Sequence, residues 1–103
     1  YLIGEGYEIL ARNWRFKKTE IDILALKDSW LIVVEVKTRT YRFLENLSEI
    51  VPVKKQKAII NAADRFVDSR ELKNEVRFDI VFIVLNGDNY QLEHIKEAFT
   101  TTG

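Results

Sequence analysis

The stretch from Thr19 to Arg39 constrains the fold more than any other part of the chain. It reads Thr-Glu-Ile-Asp-Ile-Leu-Ala-Leu, then Lys27-Asp28-Ser29, then Trp-Leu-Ile-Val-Val-Glu-Val-Lys-Thr-Arg. Two apolar, β-branched runs around a short Asp/Ser turn predict a hairpin. Trp30 to Val36 is apolar without alternation apart from Glu35, the pattern of a strand covered on both faces. A carboxylate and an ammonium at its far end, Glu35 and Lys37, therefore need a reason.

A two-residue turn at Asp28-Ser29 pairs Lys27 with Trp30, which sets Asp22 opposite Glu35 and Glu20 opposite Lys37. A four-residue loop keeps this register, whereas a three-residue loop slips it by one and sends Asp22 to the other face. In the favoured register Glu20, Asp22, Glu35 and Lys37 share a face, because i and i+2 do. Directly opposed Cβ atoms lie about 5 Å apart. Two carboxylates at that distance repel by about 3 kcal/mol at an effective dielectric of about 20. Either a proton is retained or a cation sits between them. All-oxygen ligands favour Mg²⁺ or Mn²⁺, and a lysine two residues on can hold an attacking water or neutralise an oxyanion. The pattern predicts metal-assisted phosphodiester hydrolysis. The simpler alternative is an exposed strand face with Glu20–Lys37 and Glu35–Lys37 ion pairs, which contribute little.

Composition sets the outer bounds. The 103 residues fit a single domain, residues 1–103, and 47% hydrophobic residues are enough to fill its core. Sixteen basic residues balance sixteen acidic ones, so nucleic acid would have to be held by local clusters rather than by a global field. The absence of cysteine excludes disulfides, thiolate metal sites and a cysteine nucleophile, and suits a reducing, cytoplasmic setting. No apolar run reaches membrane-spanning length. The chain opens at Tyr1 rather than Met, which leaves room for a targeting segment upstream.

In order, Tyr1 to Gly6 reads as the last turn of a helix, with Gly4 or Gly6 able to take the left-handed terminal position and the front half of the helix expected upstream. Tyr7 to Arg15 alternates, with Tyr7, Ile9, Ala11 and Asn13 on one side, and predicts a first strand. Phe16-Lys17-Lys18 connects it to the hairpin. Arg39 to Val51 lacks a clean period and is expected to be a surface loop with a helical turn at Leu44–Leu47. From Pro52, apolar residues at Ile59, Ile60, Ala62, Ala63, Phe66 and Val67 predict an amphipathic helix packed on a sheet, and Ser69 to Asn74 is a polar connection. Val76 to Leu85 predicts a buried strand, Asn86 to Asn89 a turn, Tyr90 to Ile95 an edge strand and Lys96 to Phe99 a short helical tail.

With Glu20-Ile21-Asp22 one hairpin before Glu35-Val36-Lys37-Thr38-Arg39, the chain resembles the YraN-like family. That family falls within the PD-(D/E)XK restriction-endonuclease-like superfamily, related to archaeal Holliday-junction resolvases. The likeness runs the whole length, through Ile9-Leu10-Ala11-Arg12-Asn13-Trp14-Arg15, Lys55-Gln56, Ala62-Ala63, Arg77-Phe78-Asp79, His94-Ile95 and Ala98-Phe99. It implies an α/β fold with a mixed central sheet, order (α)βββαββ, a helix packed on the sheet and the first helix truncated. It implies Asp22, Glu35 and Lys37 as a catalytic triad, with Asp22, Glu35 and the Val36 carbonyl holding Mg²⁺ and Lys37 acting on the attacking water. The chain departs from the pattern in two places. The Gly-Glu pair that relatives carry on the first helix would lie upstream of Tyr1, and Thr19 stands where relatives commonly have Gly.

Other residues carry two readings each. Glu20 is either an outer metal ligand or the ion partner of Lys37. Lys55 and Gln56 open the amphipathic helix, whose N-terminus attracts phosphate, or they belong to a solvated face. Arg39 and Arg42, with Lys17 and Lys18, could grip a DNA backbone or merely solubilise. Arg77 and Asp79, neighbours on one strand face, suggest a structural ion pair or a loop cap, and His94 a structural role. Trp14 and Trp30 suit the core or the hairpin end, or, if exposed, could stack on an unpaired base. Two rivals stand beside a DNA nuclease: a non-catalytic nucleic-acid-binding module, and a protein-interaction domain that forms a homodimer through a sheet edge or its apolar tail.

Overall fold

Short turns set the register of the first three strands. The computed structural model describes residues 1–40 and 47–100. Strands β1 (Glu8–Phe16), β2 (Thr19–Lys27) and β3 (Trp30–Arg39) follow one another through two-residue turns at Lys17-Lys18 and Asp28-Ser29. Lys17 and Asp28, the first residue of each turn, both have φ of 56°. Positive φ at this position belongs to the turns whose twist matches that of the flanking strands. Lys27 pairs with Trp30, as the sequence predicts.

After β3 come a helical turn, α1 (Leu47–Ile50), and the long helix α2 (Val53–Arg70), then β4 (Glu75–Asn86) and β5 (Asn89–Phe99). The expected helical turn at Leu44–Leu47 falls largely on residues 44–46, outside the described residues, as does Arg42. The sheet order is β1-β2-β3-β4-β5, antiparallel except for β3 beside β4, which run parallel because α2 carries the chain back between them. The chain is thus an α/β domain with a five-stranded mixed sheet and one long helix packed on it.

Pro52 caps α2, where its missing N–H costs nothing. Ile59, Ala62, Ala63 and Phe66 form the buried stripe of the helix, meeting Leu24, Leu31, Val33, Phe78, Ile80 and Phe82 of the sheet. Trp14 adds an edge-on contact with Phe66 at 5.3 Å between ring centres. The opposite sheet face carries a smaller cluster of Leu2, Tyr7, Ala25, Ile32, Val34 and Val81. Leu31 to Glu35 are all buried, which accounts for the unbroken apolar run of β3.

Tyr1 to Gly6 ends as the sequence predicts. Tyr7 N–H donates to the Leu2 carbonyl and Gly6 N–H to that of Ile3, with Gly6 at φ 89°. Lys27 Nζ, from the hairpin turn, donates to the Glu5 carbonyl at 2.7 Å.

Two expectations are overturned. Ala11 does not share a side with Tyr7 and Ile9; it packs with Leu10, Trp14 and Phe16 against the helix-side core. A register shift between Ile9 and Ala11 inserts one residue into β1 and turns Ala11 to the side of Leu10, and the alternation reverses again before Trp14, where Asn13 has φ 50°. Lys96 to Phe99 is not a helical tail, because β5 continues to Phe99. Glu97 at φ 51° donates its N–H to Asp79 Oδ1 at 3.0 Å, a kink that shifts the register and stacks Phe99 on Phe78.

Candidate active site at the fork of the hairpin

The β2–β3 ladder runs from Lys27–Trp30 as far as Ile23–Val34 and stops there. Beyond that rung β2 stays with β1, through Trp14–Ile21, Arg15–Glu20 and Phe16–Thr19, while β3 stays with β4, through Glu35–Ile80, Lys37–Phe82 and Arg39–Val84. The two strands part like a fork, with Asp22 and Glu35 as the first residues past the last rung.

The expected Asp22–Glu35 rung is therefore not formed. Instead Val36 N–H donates to Asp22 Oδ2 at 2.8 Å, so that a side-chain oxygen replaces the missing ladder carbonyl. The alternation of β2 also reverses at Asp22. Ile23 packs on the face away from α2, yet Ile21 belongs to the helix-side core. Between the Arg12–Ile23 and Trp14–Ile21 pairs Asp22 falls opposite Asn13, at φ 50°, a conformation that asparagine tolerates better than most residues. Asp22 thus lies at the seam between the two sheet faces and reaches both: a cleft with Arg12, Asn13, Ile23 and Val36 on one side, and the main cleft on the other.

The main cleft, about 480 Å³ in volume, gathers Lys18, Glu20, Asp22, Glu35, Val36, Lys37 and Lys55. Its floor is Glu35, only 3% exposed. Glu35 Oε2 is 3.4 Å from Lys55 Nζ, while Oε1 is buried and finds no hydrogen-bond partner among the described residues. Burial first, then the charge of Asp22, push the Glu35 carboxyl above the usual glutamate range, against the pull of Lys55 and Lys37. Burial first, then the neighbouring Lys55, hold the Lys37 ammonium below the ordinary lysine value, with Glu35 opposing them. An exposed face of weak ion pairs does not describe a glutamate this deeply enclosed.

The remaining predicted residues divide. Glu20 lines the cleft but pairs with Arg15 at 3.3 Å rather than with Lys37, because β2 has already left β3 there. Lys18 and Lys55 face the cleft. Lys17 lies over the Phe16 ring, Arg39 over Phe82, and the Gln56 side-chain amide donates to the Val51 carbonyl at 2.9 Å. Missed in the sequence was the contact of Lys55 with Glu35; the residues are twenty apart, and only the docking of α2 joins them. Arg77 and Asp79 do form a structural pair. Arg77 donates to both Asp79 oxygens at 2.8 Å, His94 Nε2 reaches Asp79 at 2.7 Å, and Tyr1 and Tyr7 close the cluster.

Among the described residues no group of three or more His, Cys, Asp or Glu side chains clusters as a metal site. The donor set is instead two carboxylates at a strand fork beside a backbone. It suits Mg²⁺, which keeps several of its waters and takes few protein ligands, and does not suit a fully caged ion.

A small α/β domain with two acids and a lysine at the fork of its central hairpin is the class that the fold and site define. The chain belongs to the uncharacterised protein family UPF0102, the YraN-like family, whose model matches residues 1–83. It is 41% identical over 99 residues to a UPF0102 protein of Parabacteroides distasonis, covering 96% of this chain and 82% of that one. With its counterpart in Flavobacterium johnsoniae it shares 43% over 103 residues, covering 96% and 84%. With that of Bacteroides thetaiotaomicron it shares 40% over 99 residues, covering 96% and 82%. Among the described residues no helix is long and apolar enough to cross a membrane.

Proposed function

We propose that this chain is a metal-dependent nuclease domain of the PD-(D/E)XK restriction-endonuclease-like superfamily, hydrolysing DNA phosphodiester bonds in the cytoplasm with Mg²⁺ or Mn²⁺. The observation that carries the reading is Glu35: a carboxylate enclosed to 3% exposure, one oxygen without a hydrogen-bond partner among the described residues, set beside a second acid. Enclosing an acid without full compensation is costly, and a cation shared with Asp22 offsets that cost.

Asp22, Glu35 and the Val36 carbonyl would hold the ion. An extended residue directs its N–H and C=O to the same edge, so Val36, whose N–H meets Asp22, turns its carbonyl to the fork as well. When bound, the ion supplies Lewis-acid neutralisation of the negative charge that builds on the phosphoryl oxygens. Lys37, on the same strand two residues past Glu35, orients the attacking water. Burial also makes the Lys37 ammonium give up its proton more readily than a surface lysine does, so the neutral amine that can take a proton from that water is easier to reach. Lys18 and Lys55, at the cleft wall, hold the phosphate backbone in position.

The test is cleavage of linear, single-stranded and four-way-junction DNA with Mn²⁺, comparing wild type with Asp22→Ala and Lys37→Ala. The reading expects cutting of at least one substrate by wild type and its loss in both variants. DNA retention without cleavage on any substrate would instead make the chain a binding module.

A further inference from the structure

The cleft holds a cation of its own. Lys55 Nζ lies 3.4 Å from Glu35 Oε2, a loose ion pair, and its side chain is 46% exposed at the open end of α2. Glu35, by contrast, is enclosed, and one of its oxygens has no hydrogen-bond partner among the described residues. Lys37 is held beside the same carboxylate and close to Lys55, so that two ammonium groups crowd one acid. With Asp22, the inner cleft carries two negative and two positive groups and is neutral as it stands. Neutrality of this kind is broken by any divalent cation that takes over the two acids.

We propose that Lys55 is the cation that a divalent ion must displace from Glu35, and that the displaced ammonium then pairs with a substrate phosphate, coupling metal and phosphate binding. The inference rests on the nuclease reading and adds a role for a residue outside the implied triad. Lys55 is the third residue of α2, on a four-carbon stem with nearly half its surface in solvent, so it can turn from Glu35 towards the cleft mouth without unwinding the helix. The first turn of α2 carries no acidic side chain to hold it back, and the positive end of the helix dipole favours an anion there. The loaded cleft has two positive charges in excess, which a phosphate reduces. Metal and phosphate therefore assist one another, whereas Lys55 and metal compete.

The experiment is calorimetric titration of the whole chain with Mn²⁺, alone and with a phosphorothioate-linked dinucleotide as the phosphate probe. Lys55→Met removes the competing charge and keeps the stem, and Lys55→Arg retains the charge. Lys55→Met is expected to bind Mn²⁺ about ten-fold more tightly than wild type, with Lys55→Arg matching wild type. The gain in dinucleotide affinity that Mn²⁺ gives wild type should disappear in Lys55→Met. Unchanged or weaker Mn²⁺ binding by Lys55→Met overturns the competition, and a preserved gain overturns the phosphate role. Asp22→Ala separates the two levels of argument. Loss of Mn²⁺ binding in that variant upholds the metal site on which the nuclease reading rests whatever Lys55 does, whereas equal binding by wild type and Asp22→Ala, or none by either, sinks both.

Discussion

Asp22 Oδ2 accepts the Val36 N–H at 2.8 Å, one residue past the last rung that joins their strands. A single side chain thus finishes a ladder and supplies a charge to the cleft, two roles that substitution can separate.

Asp22→Asn keeps an oxygen for Val36 and loses the charge, whereas Asp22→Ala loses both. The half-buried Val36 N–H left unpaired in the alanine variant costs about 1–2 kcal/mol. Thermal and urea unfolding should rank Asn above Ala in stability by that margin, while both lose Mn²⁺ binding by calorimetry.

Glu35 has its pKa raised in the folded chain, by burial and then by Asp22. Such an acid binds its proton more tightly folded than unfolded, so stability falls as pH rises from the ordinary glutamate value through the folded one. Above that window the full penalty applies. In chelator, Glu35→Gln should therefore melt higher than wild type at neutral pH, with the advantage shrinking towards acid pH. A variant that melts lower at neutral pH would mean that Glu35 earns more from Lys55 than it loses to burial.

Asp79 has the opposite sign. Burial alone would raise its pKa, but Arg77, the Glu97 N–H and His94 together hold it below the usual aspartate value. Its contribution is present above the unfolded pKa and lost as pH falls through the depressed folded one. Wild type should show an acid limb in its stability profile that Asp79→Asn lacks. At neutral pH the variant, which leaves Arg77 without its carboxylate, should be less stable by about 3–5 kcal/mol.

Gly6→Ala places a Cβ at φ 89° and 2.7 Å from Lys27 Nζ. The lysine tip can swing aside, so the backbone conformation sets most of the cost, about 1–2 kcal/mol. The expected readout is a lower melting temperature with metal binding unchanged.

The hairpin register was legible because a two-residue turn and an apolar run determine it locally. The fork was not, since it depends on β1 holding Ile21 and β4 holding Glu35, pairings between segments far apart in sequence. The same limit hid Lys55, whose position is set by the apolar stripe of α2 docking on the sheet. The end of β5 was misread for a different reason. Glu97 at positive φ interrupts the alternation that would have marked Lys96 to Phe99 as strand, and the hydrogen bond that stabilises the kink is accepted by Asp79 on another strand. Arg77 and Asp79 were readable as a pair because strand neighbours two apart meet on one face. His94 joined them only through the β4–β5 ladder, where it lies across from Val81.

The hairpin is pinned at one end and open at the other. Lys27 ties its turn to the Glu5 carbonyl, and Asn74 holds the Ser29 carbonyl at 3.0 Å, so the closed end is fastened on two sides. Beyond Ile23 and Val34 the Asp22–Val36 hydrogen bond still spans the fork, so any widening must stretch that contact first. On the nuclease reading proposed above, that one contact limits how far Asp22 and Glu35 can part around an ion.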